Sequence, residues 1–358
     1  MNYVATFMAV FSVLGAVDRI LGNRFGLARE FERGFVLFGN MALSMIGMIV
    51  ISPLLAEWMA PAFGVVQDAL HIDPSIIPAS LFSIDMGGAA LAKEVAADPT
   101  MGYFNGLVVA SMMGCTISFT IPYALEAVPE EKHDLVLTGF LYGIITIPVG
   151  CFAAGLAVRL PIVALLLDLL PLVVFSAVLA VGILLCPRLC VKVFKVFGIF
   201  IKIVITVGLA IGIVRFLTGF SMYDRFATLE EGAMVCVNAA VTMSGAFPFL
   251  YIVSRLLRTP LRKIGDRMGV NENSALGVIS SLATSVTTFS LMKDMDEKGT
   301  VYNAAFAVSG AFTFAGCLAF TLAFEPSFLL SVIIGKLVSG FAGLMLAMLM
   351  YKRNEKKA

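Results

Sequence analysis

The sequence predicts an all-α polytopic integral membrane protein built from two related halves, and three observations carry that expectation. Of 358 residues, 59% are hydrophobic and 14% charged, against the roughly one quarter charged of a soluble domain. The apolar residues fall in blocks of about twenty, the length of helix that crosses a hydrocarbon core about 30 Å thick. The third is a repeated pattern. Glu32, Gly34, Asn40, Ala42, Met45 and Gly47 return 198 positions later as Glu230, Gly232, Asn238, Ala240, Met243 and Gly245. Ser44 is answered by Thr242, and the register holds onward: Ser83 with Ser281, Asn105 with Asn303, Ser111 with Ser309. A repeat this long is no solenoid unit; in a membrane chain it points to a two-halved transporter.

Taken in order, spans are predicted at about 3–21, 34–55, 100–122, 134–158, 161–186, 194–219, 232–254, 300–322 and 328–350. Two further apolar stretches, 75–92 and 274–292, are irregular. The first holds Pro78, Asp85 and Gly87-Gly88; the second holds Gly277 and the hydroxyls Ser280, Ser281, Thr284, Ser285, Thr287, Thr288 and Ser290. Proline, paired glycines and dense hydroxyls interrupt a helix or re-satisfy the backbone groups it frees. The mixed segments before them, Glu57 to Asp73 and Arg255 to Asn273, are expected to lie along the interface. If both irregular stretches re-enter rather than cross, and the N-terminus is outside, the basic residues sort well. Arg19 to Arg33, Arg188 to Lys195, Arg255 to Arg267, Lys293, Lys298 and the tail lysines then fall on the cytoplasmic side. Glu126, Glu130 and Glu131 run against the trend, though acidic residues weigh little in this rule.

That topology defines the domains: a first repeat over 1–158, a linker span within 159–193, a second repeat over 194–350 and a cytoplasmic tail at 351–358. Each repeat holds four spans and one re-entrant element. Five crossings precede the second repeat, so the two are expected to be inverted.

Asp85 is the sharpest candidate for chemistry. A carboxylate deep in an apolar stretch costs several kcal/mol unless it is paired or lines a wet cavity. Its position in the second half is Ala283 with Thr284 next, so the expected site has one charged and one hydroxyl-rich half. Asn40, Ser44 and Gly47 share one helical face, as do Asn238, Thr242 and Gly245; substrate lining and helix–helix glue both suit them. The candidate substrate-binding set is therefore Asp85, Ser83, Asn40, Ser44, Asn238, Thr242, Thr284, Ser285, Asn105 and Asn303. Lys336 is expected to snorkel or pair with Glu325, and Asp168 to sit near the outer end of the linker span. Gly139–Gly143 and Gly208–Gly212 match a helix-packing spacing. His71 and His133 fall in predicted loops, so an intramembrane serine would lack its base. No phosphate-binding glycine loop is present, and no metal-ligand spacing, cofactor motif or nucleic-acid signature stands out.

The stretches MNYVATFMAVFSVLGAVDRILGNRFGL, FVLFGNMALSMIGMIVISPLLA and above all PASLFSIDMGGAALAKEVAADPTMGYFNG resemble the EutH family, the bacterial ethanolamine permeases of the ethanolamine-utilisation system. The resemblance covers essentially the whole chain. It implies a bacterial inner-membrane protein that takes up ethanolamine for an intracellular ammonia-lyase pathway. Another small amine, polyol or ion, or an accessory role without transport, is the alternative. The resemblance assigns no site residues, no coupling ion and no oligomeric state, and leaves a homodimer open.

Overall fold

The chain is described by a computed structural model covering residues 3–70 and 72–355, without the side chains of 3–5, 37, 40, 62–70, 254, 257–268 and 354–355. The described residues contain helices and no strand. Among the described residues seven helical segments are long and apolar enough to cross a membrane.

In chain order the helices of the described residues are α1 (Tyr3–Ile20), α2 (Leu27–Leu70), α3 (Ile76–Leu81), α4 (Ala89–Val95) and α5 (Pro99–Phe104). The last runs on through π-helical turns at Asn105–Gly114 and Thr116–Thr120 into α6 (Ile121–Ala127). Then come α7 (His133–Ala157), α8 (Ile162–Leu185), α9 (Pro187–Thr218), α10 (Leu229–Met268), α11 (Glu272–Ala283), α12 (Ser285–Leu291), α13 (Glu297–Gly310), α14 (Gly316–Phe324) and α15 (Leu329–Glu355). The segments expected along the interface do not start new helices. They continue the spans before them, so α2 and α10 run unbroken to Leu70 and Met268.

The 198-residue shift carries one half onto the other element by element. It takes the end of α1 to the end of α9, the start of α5 to that of α13, and the end of α7 to that of α15. Only α8 lacks a counterpart. The duplicated helices α2 and α10 pack antiparallel. A side chain at Gly34 would strike the backbone of Met243 and Ser244, and one at Gly232 would meet Ile46. Ile46 and Ser244 are themselves a duplicated pair, so the same patch is used twice, as in a two-fold contact. Asn40 and Asn238 stand midway between these two contacts.

Helices α7 and α15 repeat the arrangement. Thr146 Oγ1 donates to the Ser339 carbonyl at 3.1 Å and Ser331 Oγ to the Ala154 carbonyl at 2.7 Å. Small residues permit these approaches: Gly139 and Gly143 face α13, while Gly208 and Gly212 face α2.

Both irregular stretches are helical hairpins closed at their bases. In the first, Asp73 Oδ2 accepts from the backbone amides of Ala97 and Asp98 at 3.1 and 2.9 Å. In the second, Asp296 Oδ1 accepts from the Asn271 amide at 3.1 Å, and Asn271 Nδ2 donates to the Asp294 carbonyl at 2.9 Å. Asp73 and Asn271 occupy equivalent positions, as do Asp98 and Asp296. At 1.5 Å per residue the six residues of α3 and twelve of α11 fall short of a bilayer core. The core runs through the middle of the first half: in the 99–127 span, 94% of the apolar window is buried, against 22% in α9 and 33% in α8. The exposed leucines and valines of α8 and α9 are the surface a lipid phase would cover.

Candidate functional site

The hairpin tips are where helix gives way. Phe82 and Ser83 turn extended before Asp85, and Gly87 sits at φ +108°, a left-handed conformation that a side chain would strain, with Met48 filling the space beside it. In the second hairpin Thr284 is extended, at φ −160° and ψ 130°. Neighbouring segments catch the freed backbone groups. The Ser83 amide donates to Ser118 Oγ at 3.0 Å. Between α13 and α14 the chain unwinds, with Phe312 at φ +60°, and the Phe312 and Phe314 amides donate to the Ser281 and Leu282 carbonyls at 2.9 and 3.0 Å. A non-glycine residue in that region costs about 1–3 kcal/mol, so this break is held by its surroundings.

The two tips meet in one cavity of about 420 Å³, within the range of small-molecule sites. Asp85 and Ser83 reach it from the first tip, Thr284 and Thr287 from the second, and Ser44 from α2. Phe119, Phe247, Phe312, Met41 and Met243 supply apolar wall. Asp85 is half-buried, and Ser83 Oγ donates to its Oδ1 at 2.5 Å. The ion pairs among the described residues are Arg19–Glu32, Arg33–Glu30 and Arg225–Glu57, so none engages Asp85. Lys93, the next basic residue along the chain, lies over the rings of Tyr103 and Phe324. A second cavity of about 640 Å³ shares Arg33, Phe247, Ala283, Thr284 and Thr287 with the first and reaches Glu30 and Arg255. The Asp85 cavity therefore continues into a vestibule on the arginine-bearing side. There the Arg33 guanidinium stacks 5.1 Å above the Phe247 ring.

The remaining candidates lie elsewhere. Asn105 Nδ2 donates to Ser75 Oγ at 2.9 Å, and Asn303 Nδ2 donates to the Ser274 and Gly299 carbonyls at 2.8 and 2.9 Å. Both duplicated asparagines thus tie a hairpin base to the following helix. Asn238 is exposed on α10, and Thr242 Oγ1 bonds back to its carbonyl at 2.9 Å; neither lines the cavity. Ser285 is fully buried and its hydroxyl meets no partner. The Asn40 side chain lies outside the described residues. The other hydroxyls of the second hairpin mostly bond to its own legs: Thr288 Oγ1 meets Ser280 Oγ, Ser281 Oγ and the Gly277 carbonyl at 2.9, 2.9 and 3.0 Å.

Lys336 overturns its expected placement. It neither snorkels nor meets Glu325, which accepts from Ser327 Oγ. It is 1% exposed and donates to the Ser111 carbonyl at 2.7 Å. Ser111 lies in the π-helical stretch, where widened turns leave a carbonyl available. Cys115 and Cys317 line the cavity together with Asp85, and Cys115 follows Ser111 by four residues.

Long apolar helices, two broken hairpins and a polar cavity where their tips meet define a polytopic helical membrane protein with an internal small-molecule-sized site. The chain belongs to the EutH family: residues 1–350 match the family described as "Ethanolamine utilisation protein, EutH". It is 38% identical to the "Probable ethanolamine permease EutH" of Listeria monocytogenes over 98% of this chain and 95% of that one. It is 36% identical to "Uncharacterized protein YxeR" of Bacillus subtilis over 94% and 91%, and 32% identical to the "Probable ethanolamine permease EutH" of Salmonella typhimurium over 97% and 95%. No solved structure matches.

Proposed function

We propose that this protein carries ethanolamine across the bacterial inner membrane, binding it in the cavity between the hairpin tips. The supporting observation is Asp85: a carboxylate with one serine hydroxyl as donor and no ion-pair partner among the described residues, facing a cavity walled by hydroxyls and aromatic rings. Ethanolamine's amine, like the Lys ammonium with a pKa near 10.4, is protonated at neutral pH and crosses lipid poorly. In the cavity Asp85 takes the ammonium in a charge-assisted hydrogen bond. Phe119 and Phe312 give the same cavity an aromatic wall, while Phe247 there lies under Arg33. Thr284, Thr287 and Ser44 serve the alcohol.

The architecture supporting this reading is a pair of inverted repeats, 1–158 and 194–350, joined by the linker span within 159–193 and followed by the tail at 351–358. The antiparallel packing of α2 on α10 and of α7 on α15 supports inversion. The hairpins closed at their bases support re-entry from opposite faces. With the N-terminus outside and the C-terminus cytoplasmic, the vestibule bearing Arg33 and Arg255 opens inward, so the conformation is one of substrate release. Alternating access then moves the hairpin tips against each other around a central site.

Uptake of labelled ethanolamine by proteoliposomes tests the assignment. Wild-type protein should concentrate or equilibrate the label, and Asp85→Asn should abolish uptake while remaining folded in the bilayer. Unchanged uptake by Asp85→Asn contradicts it.

A further inference from the structure

The vestibule beside the Asp85 cavity is walled by α10 on one side and by the second hairpin on the other. Leu250 and Arg255 stand on α10, Ile279 and Ala283 on the hairpin, and Arg33 enters from the start of α2. The 198-residue shift carries these five, in the same order, to Ser52, Glu57, Leu81, Asp85 and Glu231. At those positions the protein is shut. The tip of the first hairpin and α4 pack along α2. Ser52 is 3% exposed, Ala89 is fully buried, and a side chain at Gly87 would strike Met48. Glu57 is latched: Tyr223 donates its hydroxyl proton to Glu57 Oε2, and the Arg225 guanidinium stands 3.8 Å from the same oxygen. In the second half, among the described residues, α12 packs on α6 and α11 and leaves the flank of α10 to the vestibule. Equivalent seams are thus closed in one half and open in the other.

The two seams also carry charges of opposite sign. The open mouth bears Arg33 and Arg255, with Glu30 3.4 Å from Arg33. The shut one bears Glu231 and Glu57 in their places. Packing does not impose this exchange, because both glutamates are exposed. Nor does the sorting of charge across a membrane, which acts on basic residues and gives acidic ones little weight. Lys93, at the position of Leu291 in the open vestibule, is turned onto the rings of Tyr103 and Phe324.

We propose that the seam between α2 and the first hairpin opens, in a state alternate to this one, into a vestibule on the opposite face, where Glu57 and Glu231 select organic ammonium cations. Asp85 holds there the place that Ala283 holds in the open vestibule, so an incoming cation meets the carboxylate directly. Opening breaks the contacts of Glu57 with Tyr223 and Arg225 and frees its charge for the mouth. A cleft lined by one sign of charge raises the on-rate of counter-ions by about 10–10³. On the other face Arg33 and Arg255 repel the same cation and favour its departure. The opening rests on the inverted-repeat reading above; the sign of the mouth holds whichever ammonium compound is carried.

The test is thiol labelling of the full chain in sealed membrane vesicles of known orientation. The probes are two impermeant methanethiosulfonates, one bearing a trimethylammonium group and one a sulfonate, each rate normalised to that with a small free thiol. Ser52→Cys and Leu250→Cys, read as the excess over the parent protein, place a thiol at equivalent points of the two mouths. They should react from opposite faces of the membrane. At Ser52→Cys the cationic reagent should be favoured by at least about fivefold. Adding Glu57→Gln and Glu231→Gln should abolish that preference without stopping the reaction. Leu81→Cys, compared with Ile279→Cys, decides the matter if Ser52→Cys does not fold. No ethanolamine is involved, so failure of the substrate assignment leaves these outcomes standing. Reaction of Ser52→Cys and Leu81→Cys only from the face that reaches Leu250→Cys, no reaction of either, or a cation preference that survives loss of both glutamates would overturn the proposal.

Discussion

Ser83 donates its hydroxyl proton to Asp85 across the tip of the first hairpin at 2.5 Å, fixing one carboxylate oxygen and leaving the other to the cavity. Charge-assisted bonds of this kind contribute about 1.5–3 kcal/mol. Ser83→Ala should therefore leave the protein folded but let the carboxylate swing. The Michaelis constant for ethanolamine is expected to rise by about tenfold or more, measured as initial uptake against concentration. An unchanged constant would remove Ser83 from the account.

Thr284 faces the same cavity from the second tip, with its oxygen accepting from the Val286 amide at 3.3 Å and its proton available to a ligand. A neutral hydrogen bond is worth about 0.5–1.5 kcal/mol. Thr284→Val should weaken ethanolamine uptake several-fold while leaving inhibition by propylamine, which lacks the alcohol, unaltered. Competition curves with the two amines check this directly.

Lys336 is buried with its Nζ on the Ser111 carbonyl, four residues before Cys115 of the cavity wall. Lys336→Met keeps the volume of the side chain and removes the charge, leaving the cavity more negative. A protonated amine should then bind more tightly and leave more slowly, so both the Michaelis constant and the maximal rate fall. A rise in the Michaelis constant would show that Lys336 supports binding rather than opposing it.

Gly87 holds φ +108° with the Met48 side chain packed where its Cβ would stand. A left-handed residue with a side chain costs about 1–2 kcal/mol, and the collision adds to it. Gly87→Ala should lower the melting temperature and reduce uptake, whereas Gly198→Ala, with open space around it, should leave the melting temperature unchanged.

Hydropathy makes seven of the nine expected spans legible, because burial in lipid demands long apolar helices whatever the tertiary packing, whereas 300–322 is broken between Gly310 and Gly316. The hairpin breaks were also readable: Pro78, Gly87-Gly88 and the run of hydroxyls mark places where helix cannot continue unaided. Asp85, Ser83 and Thr284 stand at those breaks and Ser44 on the duplicated face of α2, and the structure brings all of them to one cavity. Asn105 and Asn303 carry an identical sequence signal yet clasp the hairpin bases, since an amide inside an apolar run cannot reveal whether it faces a cavity or a carbonyl. In one dimension Lys336 looks like a snorkelling or paired charge and Asp168 like one near the end of its span. Only the packing of α15 against the π-helical stretch, and of α8 against the first hairpin base, shows how deeply they are buried.

The measurement that reaches the centre of the account is equilibrium binding of labelled ethanolamine to purified protein, wild type against Asp85→Asn, without any ion gradient. Breaking a buried charge pair costs about 2–5 kcal/mol, so the variant should bind at least roughly 30-fold more weakly, with its fold intact by circular dichroism. Equal affinity in the two proteins would mean that the ammonium is held somewhere other than the tip of the first hairpin.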